Sequence, residues 1–295
     1  MAKDFSAKDA KTVIKRHEQY IASLKEAKGL NIVLRAEIKK AADAFTENEI
    51  LTILKSVSVE ELNRDKKGIR IKSLVDNGFE TMADLHAASA YAIADVNGIS
   101  EDTAYTIKKT VGKLAEKIRR EVKIKLSIDN RNEFTTKLVS AISIYKNGLP
   151  YAKKSKTLLD DYYGKITLAI EDLLPATKSF GWLFVSKKRK DGAITAYALL
   201  KKLLSDDYNE EVTSLLAELN KILATDEVDA WEDFDKNTVS FYNILEDICP
   251  GLLGTDDVVY GLPEDLALDI KQEPIYLDGL NCSLRRYQEW GLKYI

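Results

Sequence analysis

The stretch of sequence that decides the fold is IADVNGISEDTAYTI, residues 93–107. Its residues suit two helices that meet at a tight turn. Gly98 tolerates a positive φ at the turn, and Ile99 is placed to fill the small core between the helices. Ser100 is a favoured N-cap residue for the second helix, and the small Ala104 lets the two helices cross closely. The stretch therefore predicts a helical hairpin centred on Gly98.

A hairpin of this kind leaves backbone N–H groups at a helix N-terminus pointing outward. Such groups form a favourable site for a DNA phosphate, and they read no base sequence. Three lysines follow on the same helix and add positive charge. We therefore predict sequence-independent DNA binding through one set of residues: Gly98, Ile99, Ser100, Lys108, Lys109 and Lys113. The alternative is a hairpin that serves only for packing or for binding a protein partner.

These residues resemble the helix-hairpin-helix family of DNA-binding modules. The resemblance extends upstream to LVDNGFETMADL, residues 74–85. Residues 69–115 together are similar to the N-terminal domain of strand-exchange recombinases and related DNA-repair modules. One position departs from the family pattern, which often has glycine at both ends of the hairpin tripeptide, whereas Ser100 stands at the second end here. A side chain at that position narrows the approach of the backbone to a phosphate.

The rest of the chain is predicted to be mainly α-helical. Only five prolines occur in 295 residues, and apolar residues recur three and four positions apart. We expect Gly29 to end the first helix, Thr46 to cap a later one and Pro150 to break another. Residues 122–128 alternate strictly between apolar and polar, which fits either a short strand or the tail of a long helix.

We predict a helical bundle with a helix-hairpin-helix module, followed by a second helical region and a C-terminal linker. The expected divisions are N-terminal helices, the hairpin module, a helical accessory domain and a linker leading into a further domain: 1–66, 67–126, 127–260 and 261–295.

Charge is distributed unevenly along the chain. Residues 206–278 contain 20 acidic and 3 basic side chains, whereas the first 205 residues carry a net charge of +12. Residues 101–156 alone contain 14 basic and 6 acidic side chains. A basic front part is typical of nucleic-acid binding. The basic run at residues 187–190 is expected in a loop between helices, where it also has access to DNA.

Several protein classes are disfavoured by composition. No run approaches the roughly 18 apolar residues that a membrane span requires, and the N-terminus lacks the apolar core of a secretory signal. Two cysteines, Cys249 and Cys282, and two histidines occur in the chain. They suggest neither a disulfide framework nor a metal site. We therefore expect a cytoplasmic protein that is not embedded in a membrane.

The final stretch, LNCSLRRYQEWGLKYI, residues 280–295, provides the second motif. It resembles the opening of the Swi/Snf-type ATPase core in the helicase superfamily. The resemblance implies that Gln288 reads adenine in an ATP site, since an amide can both donate to and accept from the edge of that base. It also implies that Arg285 and Tyr287 shape the same pocket, and that ATP and magnesium bind to the intact protein.

The other motor motifs do not occur in the 295 residues. Neither Gly-Lys pair, at Gly112 and Gly164, lies in a phosphate-loop pattern. The acidic Asp226–Asp229 stretch precedes the glutamine motif, which is the wrong order for the family, and is expected to start a helix. We therefore expect a chain that ends where its ATPase domains begin, and that neither binds ATP tightly nor hydrolyses it alone.

Two hypotheses follow from the sequence. In the first, the chain is the DNA-binding and regulatory N-terminal portion of an ATP-dependent Swi/Snf-like DNA helicase or translocase, whose missing ATPase domains are its partners in cis. In the second, it is a non-enzymatic helical adaptor that uses the hairpin to bind a protein.

Overall fold

The computed structural model describes residues 5–64 and 67–253. In this part of the chain the protein is mainly α-helical, as predicted, with nine α-helices and no β-strand. In chain order, the helices are α1 Ala7–Lys55, α2 Ile71–Asp76, α3 Met82–Ala87, α4 Ala90–Ala94, α5 Glu101–Glu121, α6 Glu133–Leu173, α7 Lys187–Leu203, α8 Asp207–Leu223 and α9 Glu227–Ile248.

The chain divides into two compact units, each built from separate stretches of sequence. The first unit comprises residues 5–37 and 140–230, and the second comprises residues 38–139 and 231–253. Helices α1, α6 and α9 contribute residues to both units. The predicted boundaries after residues 66 and 126 therefore do not coincide with this division. The boundary after residue 260 and the predicted linker 261–295 lie outside the described residues. The hairpin region, 67–126, lies wholly within the second unit.

Gly29 does not end a helix, contrary to the prediction. Helix α1, which is 49 residues long, continues through this position. A single glycine inside a helix costs only about 1 kcal/mol relative to alanine. The buried side chains of Leu24, Ala27 and Leu34 on either side of Gly29 supply more packing than that. Thr46 is likewise helical, and its hydroxyl donates to the carbonyl of Ala42 at 2.9 Å instead of capping a new helix.

Pro150 does not break helix α6, which is 41 residues long and continues through this position. Proline inside a helix removes one hydrogen bond and disfavours the preceding turn. Packing on both sides of Pro150 offsets this cost, since Tyr145 and Ala152 are buried. The buried Gly148 also allows a close approach, because a Cβ there would lie 3.5 Å from the Leu34 side chain.

The first unit has a continuous apolar core. Tyr208 on α8 packs against Tyr162, with ring centroids 4.6 Å apart and planes tilted by 44°, and Phe5 stacks on Tyr197 at 3.9 Å. Burial raises the pKa of Tyr208 to about 12. The basic run at residues 187–190 forms the first turn of α7 and not the predicted loop. Further core members come from α1, α6, α7 and α8: Leu24, Leu158, Ile166, Leu173, Leu200, Val212 and Leu215.

The second unit contains an aromatic cluster on α9 that fixes residues 122–127. The hydroxyl of Tyr242 donates to the carbonyl of Leu126 at 2.8 Å and accepts from its N–H at 3.0 Å. Ile124 donates from its backbone to Leu252 at 2.9 Å. Because these bonds satisfy the backbone, the segment stays extended after α5 ends at Glu121. Of the two alternatives for this alternating segment, the helix tail is excluded, and no strand forms in the described residues.

Candidate nucleic-acid interface

A sharp turn joins α4 to α5. Gly98 has a φ of +87°, which lies in the region that glycine adopts readily and other residues avoid. The N–H of Ile99 donates to the carbonyl of Val96 at 3.0 Å and closes the turn. The Ile99 side chain is buried beneath the turn together with Ile93. Gly98 and Ile99 therefore occupy the positions that the sequence assigned to them.

Ser100 begins α5 as its N-cap. Its side-chain oxygen accepts from the N–H of Thr103 at 3.2 Å, and its carbonyl accepts from the N–H of Ala104 at 2.8 Å. Ala104 is completely buried, which fits its predicted position where the helices pack closely. The cap fixes the start of a 21-residue helix and orients its first N–H groups toward the turn.

Three backbone N–H groups are open at the turn. The N–H groups of Gly98, Ser100 and Glu101 meet no acceptor in the described part of the chain. They are exposed at the positive end of the α5 dipole. N–H groups in this arrangement suit an anion such as a phosphate oxygen.

Arg70 lies directly against this turn, and sequence reasoning missed it. A Cβ built on Gly98 would lie 2.5 Å from Arg70 Nη1 and 2.7 Å from its Cδ. The arginine side chain therefore packs across the glycine and adds a cation beside the open donors. Arg70 stands 28 positions earlier, at the N-cap of α2. No sequence spacing indicates this contact, because tertiary packing of the two helical turns creates it.

Lys108 has a different role from the predicted one. Its ammonium group donates to the carbonyls of Leu85, His86 and Ala88 at 3.1, 2.7 and 2.7 Å. These carbonyls close the C-terminal end of α3, where a helix leaves its last acceptors unpaired. Because an ammonium group has three donors, none remains for a phosphate. Burial lowers the pKa of Lys108. We therefore remove Lys108 from the proposed DNA contacts.

Lys109 and Lys113 are exposed on α5, one turn apart. Neither forms an ion pair with a residue that the structure describes, so both ammonium groups are available to a ligand. The basic character of the helix decreases after them. Lys117 lies 4.0 Å from Glu121, and Arg119 pairs with Glu47 at 2.8 Å. The positive charge of α5 is thus partly neutralised beyond Lys113.

Acidic side chains also border the turn. Asp95 caps the end of α4, and Glu101 and Asp102 stand in the first turn of α5. Carboxylates at this position stabilise a helix through its dipole, but they repel a phosphate. The local charge is therefore balanced between these three carboxylates and the cations of Arg70, Lys109 and Lys113.

Two exposed tyrosines complete the surface of the hairpin. Tyr91 on α4 and Tyr105 on α5 are 71% and 57% exposed. Charge repulsion from Tyr91 raises the pKa of Tyr105. Residue type and spacing do not single out this pair in the sequence, although the helical periodicity places both residues on outward faces.

The remaining predicted residues can be located briefly. Asp226 begins a helix as expected, since its carboxylate accepts from the N–H of Asp229 at 2.9 Å. Arg285, Tyr287 and Gln288, the predicted adenine pocket, lie outside the described residues. No helix in the described residues is long and apolar enough to cross a membrane. Comparison with protein-family models, curated proteins and solved structures finds no match to this chain.

Proposed function

We propose that this chain binds duplex DNA without sequence preference through the turn between α4 and α5. The observation that carries the proposal is the set of open N–H groups at Gly98, Ser100 and Glu101, with the Arg70 side chain packed across Gly98. A phosphate oxygen accepts from these donors, and Lys109 and Lys113 hold neighbouring phosphates. The proposal assigns these residues to a helix-hairpin-helix module, as the family resemblance implies.

Sequence independence follows from the chemistry of the contacts. Backbone N–H groups and cationic side chains contact phosphates, which are the same at every base pair. The three carboxylates beside the turn, Asp95, Glu101 and Asp102, reduce the attraction. We therefore expect weak binding that serves to hold the chain on DNA and not to select a site.

The wider function that we propose is that of the DNA-binding portion of an ATP-dependent Swi/Snf-like helicase or translocase of the cytoplasm. The support for this step is the motif at residues 280–295, which resembles the opening of that ATPase core. Gln288, Arg285 and Tyr287 would contribute to holding ATP, which together with magnesium supplies phosphoryl chemistry to the intact protein. The hairpin would keep the ATPase domains bound to DNA.

A second candidate is an adaptor whose hairpin binds a protein. Tyr91 and Tyr105 favour it, because exposed tyrosines beside mixed charges are typical of protein interfaces. Only the first candidate predicts equal affinity for duplexes of unrelated sequence. Only the first candidate also predicts that removing the Arg70 cation weakens binding to DNA.

The test is a titration of two fluorescent duplexes of equal length and unrelated sequence at low salt. The parent chain should bind both alike, and Arg70→Gln should weaken binding to both by about three- to ten-fold, as expected for one phosphate contact near 1 kcal/mol. Lys125→Gln, an exposed lysine of the same unit, is the matched control and should bind like the parent. No binding to either duplex, with intact folding, would favour the adaptor.

A further inference from the structure

A second exposed surface lies in the first unit, between α6 and α7. Phe180, Leu183 and Phe184 are 78%, 68% and 78% exposed there. The last two belong to a short 3-10 helix, Gly181–Phe184. Large apolar side chains in water are a cost that folding normally removes. We call this set, together with Lys187, Lys188 and Arg189 on the adjoining turn, the aromatic–basic surface.

Buried neighbours in the same segment anchor the rings of this surface to the core of the first unit. Trp182 is partly buried and packs on the core of the first unit, and the Lys190 ammonium lies 5.8 Å from the centre of its ring. Ala176 is also fully buried. Phe180 and Phe184 meet edge to face, with centroids 5.7 Å apart and planes at 61°. Their outward faces therefore stay in water while the segment beneath them is anchored.

Cations follow immediately on the first turn of α7. Lys187, Lys188 and Arg189 are exposed, and none forms a salt bridge with a residue that the structure describes. Ser186 is the N-cap of this 17-residue helix, but its side chain accepts no capping hydrogen bond. The first N–H groups of α7 thus keep their donors for another acceptor.

A groove lies beside these cations. Its volume is about 1030 Å³, and Thr177, Lys178, Ser186, Lys188 and Arg189 are among the residues that line it. Glu171 and Asp172, at the end of α6, also line it. The groove therefore carries three cations and two carboxylates.

We propose that the aromatic–basic surface binds a single strand of nucleic acid. Two bases stack on Phe180 and Phe184, and the phosphates between them follow Lys188, Arg189 and the open end of α7. Stacking platforms beside a positive groove are the arrangement by which proteins hold single strands without reading sequence. Duplex DNA is excluded from the rings because its bases are already stacked and paired.

The distribution of charge favours a strand over an anionic membrane, which is the other ligand that apolar and basic residues attract together. A flat bilayer would bring its headgroups against Glu171 and Asp172 as well as against the cations. A flexible strand can follow the cations of Lys178, Lys188 and Arg189 and avoid the two carboxylates. The site lies in the first unit, is distinct from the turn at Gly98, and does not depend on the function proposed for that turn.

The experiment measures binding of fluorescent 15-residue oligothymidine, oligouridine and duplex DNA to the full chain. We expect Phe180→Ala/Phe184→Ala to weaken single-strand binding about ten-fold or more, because each stacked base contributes strongly, with little change for duplex. For single strands, Lys188→Gln/Arg189→Gln should make the slope of log affinity against log salt concentration less steep by about 1.4. The thymidine and uridine arms show whether DNA or RNA is preferred.

Matched controls in the same unit are Leu168→Ala, which removes an exposed apolar side chain, and Lys153→Gln/Lys154→Gln, which removes two exposed cations. Both should bind single strands like the parent. Gly98→Val should reduce duplex binding and leave single-strand binding intact, so failure of one site is distinguishable from failure of the other. The proposal is overturned if the phenylalanine variant binds single strands like the parent, if no single strand binds, or if the variant loses only binding to phosphatidylserine vesicles.

Discussion

The Arg70 side chain lies across Gly98, so close that a Cβ on the glycine would stand 2.5 Å from Arg70 Nη1. Glycine is required at position 98 for its φ of +87°, which excludes most side chains, and any side chain there would also have to displace the exposed Arg70 side chain. The arginine in turn reaches the turn only because position 98 carries no side chain. The same contact shapes the turn and brings a cation to it.

The first prediction concerns stability at this turn. Gly98→Ala should destabilise the second unit by about 1–2 kcal/mol from backbone strain alone, and displacement of Arg70 adds to that. The matched control is Gly112→Ala within α5, where a Cβ meets no neighbour. That change should stabilise by about 0.5–1 kcal/mol. Denaturant unfolding measures both, and equal effects of the two changes would contradict the requirement for glycine at position 98.

Lys108 should behave as a structural residue. Lys108→Met removes three hydrogen bonds to the end of α3 and leaves the carbonyls of Leu85, His86 and Ala88 without that donor. We expect a loss of about 1–3 kcal/mol in the free energy of unfolding. Lys109→Met, at the exposed neighbouring position, should change stability by less than about 0.5 kcal/mol. A stable Lys108→Met protein that had lost only DNA binding would restore the original assignment.

The carboxylates at the start of α5 should weaken DNA binding. Glu101→Gln/Asp102→Asn removes two negative charges from the first turn, so affinity for duplex should rise roughly two- to ten-fold at low salt and the gain should shrink at 200 mM as charges are screened. Asp129→Asn, a remote exposed carboxylate of the same unit, is the control. Anisotropy titrations at both salt concentrations measure the effect, and unchanged affinity at low salt would argue against phosphate binding at this turn.

The buried histidine of the first unit should make stability depend on pH. His17 is fully buried, its Nε2 lies 2.9 Å from the Leu200 carbonyl, and its Nδ1 has no partner in the described residues. Burial lowers the pKa of His17 below 6.5 in the folded state. The unfolded chain therefore binds the proton more readily, so the stabilisation is complete above about pH 6.5 and is lost as pH falls from there toward the folded pKa.

The measurement is the thermal midpoint of unfolding at pH 7.5 and pH 5.0 for the parent and for His17→Gln. The parent should lose more between the two pH values, because glutamine does not titrate. An equal loss in both proteins would show that other groups cause the pH dependence.

Some of these features were predictable because they depend on neighbours in sequence. The positions of Gly98, Ile99 and Ser100 follow from turn and capping chemistry that acts over four residues. Arg70 was not selected and Lys108 was assigned the wrong role, because a long cationic side chain reaches whatever acceptor or surface tertiary packing brings near it. The sequence places Lys108 on a helix, but it does not show which acceptors its ammonium group contacts.

The predicted breaks in the long helices α1 and α6 were wrong for a related reason. Gly29 and Pro150 carry local signals against helix, which are worth about 1 kcal/mol for the glycine and about 3 kcal/mol for the proline. Burial of residues on both sides outweighs them, and that burial comes from chain segments far away in sequence. Segment 122–127 shows the same limit, since the Tyr242 hydroxyl, 116 positions from Leu126, completes its backbone hydrogen bonding.

The most direct test of the central proposal is the salt dependence of duplex binding. If Arg70, Lys109 and Lys113 each neutralise one phosphate, log affinity should fall against log salt with a slope of about −2.7, a loss of roughly 40-fold between 50 and 200 mM. Removing two of the three cations in Lys109→Gln/Lys113→Gln should bring the slope to about −0.9. A parent slope near zero, or the same slope in both proteins, would contradict the proposal that this turn holds DNA phosphates.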